Sequence, residues 1–140
     1  MGDVIYTWGY TGSTPADLTR YMDALGATLI DIRYRRRSRV AHWQAWALRE
    51  LVGPGRYRGI EEFGNVNYRT GGPIKLWLPK TGVAEIRPYI ERGPCILLCA
   101  CADVETCHRK VAADLVAEAL GLEVVHLPGR FNAWPGGRVA

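Results

Sequence analysis

The sequence predicts a single three-layer α/β domain with about four mostly parallel strands and helices on both faces. Three observations carry that expectation. Short β-branched or apolar runs alternate with amphipathic stretches along the chain. The first two runs, Val4–Tyr10 and Thr28–Arg33, are joined by a helix-length segment, which makes a βαβ unit with parallel strands and a right-handed crossover. Cys95–Ala100 is an unbroken apolar run between turn formers, the pattern of a strand covered on both faces.

Each element has a local reason. The first strand ends in Gly9. Thr14-Pro15-Ala16-Asp17 is a helix start, with a hydroxyl cap, proline in the first turn and a carboxylate three residues on. That helix carries Leu18, Tyr21, Met22 and Leu25 on one face and stops at Gly26. After the second strand, Ala41–Val52 places Trp43, Trp46, Ala47 and Leu51 at helical spacing, read as core or interface filler. Residues 56–72 have no sustained period and form a long loop with room for one short strand. Ile74–Leu78 reads as a strand or a helical turn, and Thr81–Arg92 as a helix capped by Thr81. The helix after Thr106 shows Val111, Leu115, Val116, Ala119 and Leu120 as a buried stripe, and Glu123–Leu127 is a last parallel strand. The domain covers residues 1–128, and 129–140 is a partly docked tail. This order of elements is Rossmann-like.

Composition narrows the class. The chain has 140 residues, enough for one real core. It has no apolar run long enough to span a bilayer and no secretory leader at its start, so a cytoplasmic protein without membrane partners is expected. All four cysteines fall between Cys95 and Cys107, whereas a disulfide framework would spread them to staple distant loops. The net charge of +4 sits in one run, Arg33, Arg35, Arg36, Arg37 and Arg39; without it the remainder has 13 basic and 14 acidic residues. Such a run points to phosphate or nucleic acid, against the plainer reading of a solvated loop.

The polar residues of the three best strands lie at their carboxyl ends: Tyr6, Thr7 and Tyr10, then Asp31 and Arg33, then Cys99. In a parallel sheet those ends share one edge, and Thr106, Cys107, His108 and Arg109 open the helix that faces it. Asp31 stands between two isoleucines and needs a partner to be buried, which Arg33 or Arg109 could supply. Arg109 suits a phosphate as a permanent planar fork, and His108 suits acid, base or donor work. Cys107 turns inward on the helix, where its thiol is either a tuned reactive group or apolar filler; Cys99 is a weaker candidate, and Cys95 and Cys101 weaker still. No phosphatase loop, Walker loop or dinucleotide fingerprint is present. Neither a metal nor a cofactor is expected, because adjacent Cys107 and His108 would diverge on a helix and no second ligand pair follows.

Four stretches together resemble the family called domain of unknown function 488: YTWGYTG (6–12), Asp31-Ile32-Arg33 with RSR close behind, FGNVNYRTGG (63–72) and LLCACADVETCHR (97–109) with its helix. Cys99 and Cys107 occupy the family's cysteine positions; Cys95 and Cys101 are extra. The resemblance implies a shared constellation of Tyr6, Asp31, Arg33, Cys99, Cys107, His108 and Arg109, without naming a reaction.

The leading functional expectation is an enzyme, a hydrolase or transferase, acting on nucleic acid or a nucleotide. Asp31, Cys107 and His108 would be its catalytic groups. Tyr6, Thr7, Tyr10, Arg33, Thr106 and Arg109 would bind the ligand, and Arg35, Arg36, Arg37 and Arg39 would hold the nucleic-acid backbone. The alternatives are a non-catalytic nucleic-acid-binding module using the Arg33–Arg39 run, and a thiol or metal protein using Cys99 and Cys107. A monomer or homodimer is expected, with the tryptophans around Trp43 and Trp46 available to a second copy.

Overall fold

The structure, a computed structural model, describes residues 4–36 and 38–137. Five parallel strands form one sheet: β1 (Val4–Gly9), β2 (Thr28–Asp31), β3 (Tyr57–Gly59), β4 (Cys95–Cys99) and β5 (Glu123–His126), in the order β3-β2-β4-β1-β5. Among the described residues the four α-helices are α1 (Pro15–Leu25), α2 (Ala45–Val52), α3 (Pro79–Arg92) and α4 (His108–Leu120). This is the three-layer α/β arrangement expected, with one strand more than the sequence made obvious.

Side chains alternate across the pleat, so each strand feeds two cores. Ile5, Ile30, Leu97 and Cys99 pack with Ile86 and Ile90 of α3 and Ala112, Ala113 and Val116 of α4. Trp8, Leu29, Ile96 and Leu98 pack on the other face with Leu18, Tyr21 and Met22 of α1 and Leu48 and Val52 of α2. β4 is buried along its whole length because it lies in the middle of the sheet.

Local chemistry explains most boundaries and corrects some. Thr14 caps α1 in a reciprocal box with Asp17, and Gly26 closes it at φ 60°, a left-handed position that suits glycine. α3 begins at Pro79, two residues before Thr81, because the proline already has a first-turn φ and no N–H to satisfy. The expected helix 41–52 is interrupted: Ala41–Trp43 is a 3₁₀ turn, Gln44 is extended and α2 starts only at Ala45. Its buried residues are therefore Leu48 and Val52, while Trp46 is 59 % exposed and Leu51 39 %. The stripe of α4 is also rotated from expectation. Arg109, Ala112, Ala113 and Val116 are its buried residues and Val111 faces out, because small side chains let the helix lie close on the sheet.

The segment after β5 lies against α1. Asp17 Oδ1 accepts from Phe131 N at 2.9 Å, Trp8 Nε1 donates to Gly129 O at 3.0 Å, and Phe131 and Trp134 pack around the Tyr21 ring.

Topology places the site. The crossovers after β1 and β2 run over the α1/α2 face, and those after β3 and β4 over the α3/α4 face. β2 and β4 are neighbours, so the chain leaves their carboxyl ends in opposite directions and a crevice opens between them.

Candidate functional site

A cleft of about 460 Å³ fills that crevice. One wall is Tyr10, Arg33 and Tyr34, beyond β1 and β2; the other is Ala100, Cys101, Thr106 and His108, beyond β4. The long loop 64–74 covers it with Asn65, Asn67, Tyr68, Gly71, Gly72 and Ile74. Gly64 lets that loop lie against the first wall, since a Cβ there would stand 2.7 Å from the Tyr34 Cα.

The expected polar residues fall into two networks on opposite faces of the sheet. On the α1/α2 face, the fully buried Asp31 carboxylate accepts from Arg33 N at 3.2 Å, Arg33 Nε at 2.9 Å, Arg33 Nη2 at 2.7 Å and Tyr57 Oη at 2.5 Å. Arg33 Nη1 donates to Trp43 O at 2.6 Å and to Tyr10 Oη at 3.3 Å, and the Tyr10 and Trp43 rings stack at 4.6 Å. Asp31 and Arg33 thus brace the cleft floor. Asp31 is not among the residues that line the cleft.

On the α3/α4 face, Arg109 is 3 % exposed. Its Nε donates to Thr7 Oγ1 at 3.3 Å, Nη1 to Cys99 Sγ at 3.3 Å and to Cys101 O at 2.5 Å, and Nη2 to Ala102 O at 3.4 Å. The guanidinium therefore pins the loop after β4 instead of reaching out to a phosphate. The fit requires glycine at position 9: a Cβ there would lie 1.7 Å from Cys101 O and 2.4 Å from Arg109 Nη1. Thr7 Oγ1, which accepts from Arg109, is also hydrogen-bonded to His126 Nδ1 at 2.6 Å. Burial first, then the Arg109 charge, lowers the His126 pKa.

Cys107 is the N-cap of α4, not a residue inside it. Its extended backbone (φ −106°, ψ 141°) turns the thiol toward β4, where Sγ accepts from Arg109 N at 3.5 Å. The sulfurs of Cys99, Cys101 and Cys107 lie within 4.8 Å of one another, a set able to hold a metal ion. Hydrogen bonding within the cluster, from Cys107 and then Cys99, pulls the Cys101 pKa well below the thiol range, helped by His108 and Arg109. Burial pushes Cys99 up, and sharing its proton with Cys101 pushes Cys107 up. His108 Nε2 donates to Ile32 O at 3.0 Å, so Nδ1 keeps its lone pair, 3.8 Å from Cys107 Sγ. Burial holds that imidazole below its usual pKa.

The cleft gathers Tyr10, Arg33, Thr106 and His108 from the sequence candidates. Thr7, Cys99, Cys107 and Arg109 form the wall behind it, and Tyr6 packs on the α1 side, away from it. Arg35 and Arg39 are exposed; the Arg36 side chain and the whole of Arg37 lie outside the described residues. Sequence reasoning missed Tyr34, Asn65, Asn67, Tyr68 and Cys101. Their signal was the loop 63–72 itself, with two amides and two aromatics among glycines, and a third thiol just beyond a strand end.

Among the described residues no helix is long and apolar enough to cross a membrane. Set against protein-family models, curated proteins and solved structures, the chain matches none.

Proposed function

We propose that this chain is a nucleotide- or nucleic-acid-processing enzyme. It takes a base into the cleft between β2 and β4 and carries out base-processing or N-glycosidic chemistry at the Cys101–His108 end. The observation that carries this reading is the lining of the loop 64–74. Asn65 Oδ1 accepts from Asn67 N at 3.0 Å and Lys75 N at 3.1 Å, and Asn67 Nδ2 donates to Pro73 O at 2.8 Å. These bonds set both amide orientations and leave Asn65 Nδ2 as a donor and Asn67 Oδ1 as an acceptor for a ligand. A donor and an acceptor in a cleft that Tyr34 and Tyr68 also line, their rings edge to face at 6.2 Å, suit the edge and one face of a heteroaromatic base.

Phosphate contact moves to the rim in this reading. Arg35 lies over the Tyr34 ring and Arg69 over the Tyr68 ring, each 5.5 Å from the centroid, and both arginines are exposed. Arg33 and Arg109, buried and bonded internally, shape the site. Asp31 leaves the catalytic set because four donors already converge on it.

Calorimetric titration with nucleoside monophosphates, nucleosides and short oligonucleotides tests the proposal, in the presence of chelator. Tyr68→Ala is expected to weaken binding roughly tenfold or more, the usual value of base–aromatic stacking. Failure of every base-bearing ligand to bind, or binding indifferent to Tyr68→Ala, would refute it. Binding by the wild type without release of free base, assayed separately with zinc and no chelator, would leave a non-catalytic module in place of the enzyme.

A further inference from the structure

We infer that Cys99, Cys101 and Cys107 form a three-thiolate site for a soft divalent cation, zinc first, with its fourth coordination position open to the cleft. The proposal stands on geometry independent of the nucleotide reading. Three sulfurs within 4.8 Å of one another can close to the tetrahedral spacing of zinc–sulfur bonds with small side-chain adjustments. They come from separately held places: Cys99 is the last residue of β4, Cys101 follows it in the loop, and Cys107 caps α4. Two of them already accept N–H donors, Cys99 from Arg109 Nη1 at 3.3 Å and Cys107 from Arg109 N at 3.5 Å, as thiolate ligands do.

Charge fits as well. Three thiolates around a dication leave one net negative charge, and Arg109 supplies one buried positive charge beside it. Cys101 is the cluster residue that lines the cleft, so the unfilled position of a tetrahedron faces the ligand space. His108, which donates Nε2–H to Ile32 O at 3.0 Å, lines the same cleft. Three protein ligands with an open fourth position is the pattern of catalytic rather than structural zinc. Binding moves no electrons: three S–metal bonds form, and the protons still on the thiols pass to solvent.

Anaerobic titration of the reduced full chain with cobalt(II), followed by displacement with zinc, is the test. No nucleotide is present, so its outcome is separate from that of the ligand titration. The wild type is expected to take up one equivalent with an intense thiolate-to-cobalt charge-transfer band. Cys95→Ser, outside the cluster, should match it. Cys101→Ser, at a half-exposed position that should fold normally, is expected to lose about a third of that intensity. It should also bind zinc more than about a hundredfold less tightly, beyond the usual cost of losing an outer-shell partner. Cobalt bound without the charge-transfer band, or an unchanged Cys101→Ser, would overturn the site. So would a disulfide between cluster cysteines in freshly purified protein that persists without oxidant.

Discussion

Asp31→Asn separates a bracing carboxylate from a catalytic one. In the wild type, Arg33 N and Nε approach one carboxylate oxygen, and Arg33 Nη2 and Tyr57 Oη approach the other. All four are donors, and a carboxylate offers only acceptors. The amide keeps one oxygen and turns an NH₂ group toward the remaining donors. Tyr57 can rotate its hydroxyl and accept, but the guanidinium cannot. Arg33, 5 % exposed, is left as a buried cation without its counter-charge. Breaking such a pair costs about 3–5 kcal/mol. For a domain of this size that corresponds to a fall in Tm of roughly 10–15 °C. Thermal and urea unfolding followed by circular dichroism would read it. The double variant Asp31→Asn/Arg33→Met removes the stranded charge and should be less destabilised than the sum of the two singles by about 2 kcal/mol. A loss below about 1 kcal/mol in Asp31→Asn, with ligand binding intact and turnover gone, would refute the bracing role.

Gly9→Ala should lower stability by about 1–3 kcal/mol, read from the urea midpoint, because its methyl group meets Cys101 O and Arg109 Nη1. Cys101 should react with iodoacetamide at about pH 6, below the range of a free thiol, when sites are mapped by mass spectrometry. Cys95, whose burial pushes it up to about 12, should stay unmodified. Stability should be full above about pH 6.5 and fall as pH drops toward the folded values of His108 and His126, since burial lowers both and the unfolded chain then binds more protons. Urea unfolding across that window checks the sign, and His126→Gln should flatten part of the slope.

Much of the fold was legible because strand and helix signals in this chain are strong where the core is continuous. The run Cys95–Cys99 has no polar residue to confuse its reading, and it is the central strand. β3 was harder. It is only Tyr57–Gly59, its middle arginine is exposed, and its pairing with β2 rather than its sequence makes it a strand. The α4 stripe shares only Val116 with the expected one among its fully buried residues, because Ala112 and Ala113 pack on the sheet while Val111 faces out. At the site, the need of Asp31 for a partner was visible from its isoleucine neighbours, and the structure assigns Arg33. What no side-chain pattern could show is that Arg109 bonds to backbone carbonyls of Cys101 and Ala102, because those acceptors exist only once the loop has its shape. Cys101, among the weakest thiol candidates in the sequence, lies past the end of β4, where strand alternation no longer tells which way a side chain points.

The two buried arginines explain why the candidate ligand contacts lie elsewhere. Arg33 ties the chain after β2 to Trp43 O, and Arg109 ties the chain after β4 to Cys101 O and Ala102 O. Each guanidinium fixes one wall of the crevice through donors that a lysine could not supply from a single nitrogen. Once spent on the walls, those donors are not available to a phosphate. A ligand that enters therefore meets the Tyr34 and Tyr68 rings, the free ends of Asn65 and Asn67, the exposed Arg35 and Arg69, and the Cys101 sulfur. In the proposed function, recognition would belong to the covering loop and chemistry to the thiol wall, which Arg109 ties to Thr7 and Cys99.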